Sequence, residues 1–266
     1  MQIPFTKAHG ASNDFLLTWA ADAPEGGRAA MARAICARHT GVGADGWILV
    51  TPPADAASDG AIELFNSDGS AAELSGNGTR CAAAFLIRRG LQGEVVRIRT
   101  GAGLKTLRLL KRDGLAFEFE MEMGVPEIRA ARFDLPLSTG ARDVTLLWVG
   151  NPQCAVPVED FDFDWRSMGA EIESHGHFPN RTNVSFVKRA GEHSIEVRFY
   201  ERGAGETMSS GTGSTGAVAA AMARAMATPP MEVRTPAGPL HACTKDSVLW
   251  LTGPADLVAE GLFHFK

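Results

Sequence analysis

The sequence predicts a mixed α/β (α+β) protein made of two similar domains. Three observations carry this. Short strand-like runs outnumber helical ones, two Ala-rich helices are apolar on nearly every side, and the segment that opens the first helix recurs before the second. A helix apolar all round has no face to offer water and must be buried. Two such helices call for two cores.

Gln2 to Lys7 reads as the first strand, and Phe15 to Trp19 as the next, after a turn holding Asn13 and Asp14. Arg28 to Arg38 reads as an amphipathic helix, apolar at Ala29, Met31, Ala34 and Ile35. Gly46 to Thr51, Ala61 to Phe65, Val95 to Thr100 and Gly103 to Leu110 read as strands. Phe117 to Met123 alternates as FEFEMEM, the pattern of a strand with one wet face. A polar stretch over 125–143 then reads as a boundary. Beyond it the strand pattern restarts at Val144 to Val149, Ala155 to Val158, Val184 to Lys188 and Ile195 to Tyr200, and returns at Leu249 to Thr252 and Leu262 to Phe265. The expected division is residues 1–118 and 119–256, the chain's last residues returning to the first domain and an active-site cleft separating the two.

The repeat is the most informative feature. FNSDGSAAELSGNGTRCAAA (Phe65 to Ala84) and FYERGAGETMSSGTGSTGAVAAA (Phe199 to Ala221) each start as a strand, pass a polar loop, reach S-G-x-G-[ST] and enter an Ala-rich helix. A glycine-rich turn opening a helix aims backbone N–H groups at one point, and the helix dipole adds positive potential there. Such a tip suits a phosphate or a carboxylate. The phosphate-loop pattern G-x-x-x-x-G-K-[ST] is absent, and neither Gly76 nor Gly211 has the third glycine of the dinucleotide fingerprint. Two tips facing one cleft would stabilise a carboxylate whose charge grows as its neighbouring carbon loses a proton. Ser75 and Ser210 stand at equivalent places just before the two helices. Each is also an ordinary choice for a helix N-cap. As a matched pair they would act on opposite faces of one carbon, one removing a proton and the other returning it.

Bulk composition excludes other classes. A net charge of -5 with no basic run gives no electrostatic basis for nucleic-acid binding. No apolar run approaches the roughly 20 residues that span a bilayer, and the N-terminus lacks the pattern of a signal peptide, which points to the cytoplasm. Cys36, Cys81, Cys154 and Cys243 have no CxxC spacing, so a zinc site is not expected. All four read as reduced, buried packing residues.

Six ordered motifs, KAHGASNDF, HTGVGADG, FNSDGSAAELSGNGTRC, GNPQ, TNVSFV and ERGAGETMSSGTG, make the chain resemble the diaminopimelate epimerase family from Phe5 to beyond Ala217. The resemblance implies two pseudo-symmetric α/β domains, each a β-sheet wrapped around a central α-helix. It implies interconversion of LL- and meso-diaminopimelate without pyridoxal phosphate, metal or any other cofactor, in the synthesis of lysine and peptidoglycan precursors. It implies that Asn13, Asn66, Asn151, Asn183, Glu201 and Arg202 hold the substrate, with Arg202 suited to a bidentate grip on its remote carboxylate and Glu201 suited to an ammonium group or to orienting the group at 210. The amides of Gly76, Asn77, Gly211 and Thr212 would cradle the carboxylate at the reacting centre. The partner is then a small amino acid, and a homodimer is compatible with the family.

The chain departs from the family at three places. Ser75 and Ser210 stand where the family has catalytic cysteines, and Gln153 stands where it usually has histidine. The catalytic candidates are therefore Ser75, Ser210, Glu201 and Gln153. Three readings stay open on the sequence: epimerisation retained with serines, a different proton transfer such as a dehydration or one-base isomerisation, and a catalytically silent protein that binds an amino acid or cell-wall fragment.

Overall fold

The computed structural model describes residues 1–265. The chain forms two compact units, one of Met1–Met121 together with the stretch from Gly253 onward, the other of Glu122–Thr252.

In the first unit, β1 (Gln2–Gly10) and β2 (Asn13–Trp19) pair antiparallel. Helix α1 (Arg28–Cys36) crosses over to β3 (Gly46–Thr51), which lies parallel to β2. β4 (Gly60–Asn66) runs antiparallel to β3 and is extended by the short β5 (Ala71–Ala72). Helix α2 (Gly76–Arg88) crosses over to β6 (Val95–Thr100), parallel to β4. β7 (Gly103–Asp113) and β8 (Ala116–Gly124) follow antiparallel.

The second unit repeats this order. β9 (Glu127–Leu137) and β10 (Gly140–Trp148) form a hairpin, and β10 pairs antiparallel with β11 (Pro152–Val158). Helix α3 (Trp165–Glu173) crosses over to β12 (Asn183–Gly191), parallel to β11. β13 (Ser194–Glu201) and the short β14 (Gly205–Thr207) continue antiparallel. Helix α4 (Gly211–Ala223) crosses over to β15 (Met231–Thr235), parallel to β13, and β16 (Gly238–Lys245) follows antiparallel. β17 (Val248–His264) pairs first with β16 and then along β1.

The expected fold class is therefore present, with a sheet packed around one central helix in each unit. Every residue from Gly76 to Ile87 of α2 is buried, against β1 to β4 and β6. Every residue from Gly211 to Ala221 of α4 is buried, against strands of its own unit. The outer helices cover the other sheet face. In β3, Trp47 and Leu49 join the α1 cluster with Met31 and Ile35, while Ile48 points the opposite way, toward Gly78 of α2. Alternate residues of a strand face opposite sides, so a strand covered on both reads as the continuous apolar run seen over Trp47 to Val50. In β12, Val184 and Phe186 pack with Trp165 and Ile172 of α3, and the intervening Ser185 donates to the Gly213 carbonyl of α4 at 3.4 Å.

Three expectations need correction. The polar stretch over 125–143, read as a boundary, forms most of the β9–β10 hairpin, whose side chains there are largely exposed and so show no apolar alternation. The tail is one 17-residue strand, not two. Cys243 is only half-buried, whereas Cys36, Cys81 and Cys154 are buried; among the described residues none of the four forms a disulfide.

Candidate active site

Each unit presents the same helix opening. Ser75 is the N-cap of α2, its Oγ accepting from the Gly78 amide at 3.1 Å. Ser210 is the N-cap of α4, its Oγ accepting from the Gly213 amide at 3.1 Å. The ordinary capping role of both serines is thus present. Gly76 and Asn77 take the first two positions of α2, and Gly211 and Thr212 those of α4, where N–H groups point out of the helix end. The second glycine of each S-G-x-G has a packing reason. A Cβ on Gly78 would come 3.0 Å from Ile48 Cδ1, and one on Gly213 would come 2.9 Å from both Phe199 Cδ1 and Ser210 Oγ. Glycine at that point lets the helix tip settle onto its sheet while its amide serves the cap.

The two tips differ in what surrounds the hydroxyl. Ser210 donates to Glu201 Oε2 at 2.8 Å, while the other carboxylate oxygen accepts from Thr207 Oγ1 at 2.6 Å. Because the Ser210 oxygen already accepts from Gly213, the direction of its own proton is set toward Glu201. Ser75 has no carboxylate neighbour of this kind among the described residues; its hydroxyl contact is the Gly78 amide.

In the first unit Asn13 and Asn77 are joined: Asn77 Nδ2 donates to Asn13 Oδ1 at 3.2 Å, and Asn13 Nδ2 donates to Asp45 Oδ2 at 2.8 Å. Asn66 does not join them; its amide donates to Ser70 Oγ at 3.0 Å within its own turn. In the second unit Gln153 Nε2 donates to Asn151 Oδ1 at 2.6 Å and Asn151 Nδ2 to Thr212 Oγ1 at 3.4 Å, a chain ending on the α4 tip. The Oε1 of Gln153 is buried with no partner among the described residues. Asn183 donates to the Pro152 carbonyl at 3.1 Å and accepts from the Arg202 amide at 3.0 Å, tying the β12 start to the Glu201–Arg202 corner. The Arg202 guanidinium donates to the Asn180 carbonyl at 3.4 Å.

Sequence reasoning passed over four residues that hold these groups. Asp45 lies inside HTGVGADG and takes the bond from Asn13; Lys7 and Arg38 sit beside its neighbour Asp14 and hold that carboxyl below its usual range, against the upward push of burial. Arg80 is the charge inside an otherwise apolar helix, a signal visible in SGNGTRC. Glu173, at the end of α3, is 2% exposed and accepts from the Gly203 amide at 3.1 Å and from Arg181 at 2.5 Å, bracing the turn after Arg202. Thr207 holds Glu201 and carries no motif signal.

The three buried thiols cannot stand in for the serines. Cys81 and Cys154 are both 0% exposed. Burial pushes the Cys36 and Cys81 thiols up to about 12 and Cys154 further still. We expect an aromatic disulfide reagent at mildly alkaline pH to label at most Cys243 in the folded protein and all four cysteines after denaturation. Rapid labelling of two or more native thiols would contradict this burial.

The profile of the family described as diaminopimelate epimerase matches residues 5–128 and 145–258. A diaminopimelate epimerase of Halothermothrix orenii is 33% identical over 277 residues, covering 98% of each chain. One from Azoarcus sp. is 37% identical over 276 residues, again covering 98% of each. Among solved structures, a hydroxyproline epimerase from Agrobacterium vitis with bound trans-4-hydroxy-L-proline aligns with a TM-score of 0.75 at 17% identity, over 98% of this chain and 92% of that one. A phenazine biosynthesis protein of the PhzF family from Bacillus anthracis aligns with a TM-score of 0.69 at 15% identity over the whole of both chains. These structural likenesses concern the fold. Among the described residues no helix is long and apolar enough to cross a membrane. The near-complete match of family profile and relatives makes this chain an isomerase-class enzyme belonging to the diaminopimelate epimerase family.

Proposed function

We propose that this protein interconverts LL- and meso-diaminopimelate by removing the α-proton on one face and returning a proton on the other. The observation that carries the reading is the duplicated helix tip, a serine-capped, glycine-lined opening in each unit. As the Cα–H bond breaks, its electron pair spreads into the adjoining carboxylate. The amides of Gly76, Asn77, Gly211 and Thr212, with both helix dipoles, stabilise that charge. Ser75 and Ser210 exchange the protons, Glu201 drawing on the Ser210 hydroxyl and Gln153 standing in for the family's histidine as a neutral partner. Asn13, Asn66, Asn151 and Asn183 fix the amino-acid ends, and Arg202 grips the remote carboxylate.

A second reading is favoured by one observation: Ser210 has a carboxylate against its hydroxyl and Ser75 does not. A serine hydroxyl needs a neighbouring base to be activated, so proton exchange confined to the Ser210 face, leading to a one-base isomerisation or an elimination, follows from the same site.

Incubation with LL-diaminopimelate in deuterated water, followed by proton NMR and chiral separation, decides between them. Deuterium entering with inversion is the expected result. Entry of deuterium with retention would replace epimerisation by the one-faced reaction. Tight binding with no exchange would sink both and leave an amino-acid-binding protein.

A further inference from the structure

Arg80 lies one turn inside α2 and is 0% exposed. Its Nε donates to the Pro254 carbonyl at 3.1 Å and its Nη2 donates to Asn77 Oδ1. Among the described residues its Nη1 is buried without a partner and no carboxylate pairs with it. A cation near the N-terminal end of a helix works against the helix dipole, and a buried one loses its hydration. Desolvation brings this guanidinium down to about 10, which leaves it charged at neutral pH. The equivalent place in α4 is Thr215, whose hydroxyl donates back to the Gly211 carbonyl. The charge is thus a feature of one tip only.

We propose that Arg80 is a positioning residue that locks the side chains of Asn77 and Asn13 into a single donor–acceptor order ending on Asp45, while placing an unpaired positive charge under the α2 tip. The order follows from the two ends. A guanidinium only donates, so Asn77 must turn its Oδ1 toward Arg80 and its Nδ2 toward Asn13. Asn13 then presents Oδ1 to Asn77 and Nδ2 to Asp45, whose carboxylate only accepts. Flipping either amide sets donor against donor or acceptor against acceptor. The chain from Gln153 through Asn151 to Thr212 lacks this lock, because a hydroxyl at its end can donate or accept. The first tip therefore supplies fixed polarity and charge, and the second supplies the acid–base pair Ser210–Glu201. This inference rests on the function proposed above only for the identity of the ligand, a carboxylate, that the tip receives.

The test uses Arg80→Met, Arg80→Lys and Asp45→Asn in the full-length chain, each read in two ways. Without substrate, hydrogen exchange of the Asn13 and Asn77 side-chain amides is followed by 15N NMR. With diaminopimelate, kcat and KM for α-proton exchange are measured. Losing a charge-assisted hydrogen bond is expected to cut amide protection by about tenfold to a hundredfold in Arg80→Met, with partial recovery in Arg80→Lys and a matching rise in KM. Asp45→Asn removes the opposite anchor and is expected to release the same two amides with Arg80 intact, which keeps the proposal testable if Arg80→Met fails to fold. Variants that only melt earlier, with both amides as protected as in the parent and KM unmoved, would overturn it. A parent protein that exchanges no diaminopimelate would defeat the proposed function while the amide measurement still decides the relay.

Discussion

Replacing Ser75 and Ser210 together by cysteine is expected to raise the rate of α-proton exchange by about a hundredfold or more, because a thiol near ~8.5 ionises far more readily than a hydroxyl and a helix N-terminus lowers it further. Both positions sit at such a terminus, each with its side-chain oxygen against a first-turn amide. The gain comes with a stability loss. Sulfur is a weaker acceptor than oxygen, and losing an N-cap costs about 0.5–2 kcal/mol, so the faster variant melts earlier. The native cysteines will not confuse the result, since the three buried thiols stay protonated. Rate by deuterium wash-in and stability by thermal unfolding separate the two effects. A double variant that folds, binds diaminopimelate and is no faster would mean these positions do not carry the proton.

Glu201→Gln carries the second large effect. The carboxylate accepts from Ser210 at 2.8 Å and from Thr207 at 2.6 Å, and so can draw the Ser210 proton as the hydroxyl reacts. Glutamine keeps the shape and one acceptor but removes the base. A general base contributes about 10²–10⁴-fold, so kcat should fall by that order with little change in melting temperature. A variant with kcat intact and only KM raised would restrict Glu201 to holding substrate. Run beside the parent, the same variant tests the one-faced reading, which places all proton transfer on Glu201 and Ser210 and therefore requires the loss to be near total.

Much of the architecture was legible in the chain. The two all-apolar helices could only be interior, and the serine of the S-G-x-G before each named its cap. Val95 to Thr100 and Gly46 to Thr51 were readable to the residue because apolar side chains alternate or run continuously under two covered faces. Helix α3 was missed because its buried residues, Trp165, Gly169, Ile172 and Glu173, mix a glycine and a carboxylate into a short stretch flanked by acidic and histidine-rich loops. The first part of the β9–β10 hairpin was missed because residues 127–134 are largely exposed and show no apolar alternation, although Leu135, Leu137 and Val144 reach the core; the end of β10 was read as the strand Val144 to Val149. β17 reads as two strands because Gly253 and Pro254 interrupt it. Pro254 is tolerated where the pairing changes partner, after Thr252 and before Asp256, and its carbonyl is taken by Arg80.

For the site, local sequence was enough to determine the caps and the candidate polar residues, because capping depends on neighbours a few positions apart. It could not determine which polar groups meet. The Asn13–Asp45 bond, the Asn77–Asn13 bond, the Glu201–Ser210 pair and the Glu173 brace join residues from separate strands, helices and turns. A hydrogen bond exists only where the folded backbone brings donor and acceptor to about 3 Å. That distance is set by strand register and helix packing, and only the tertiary structure could decide that one serine faces a carboxylate while the other does not.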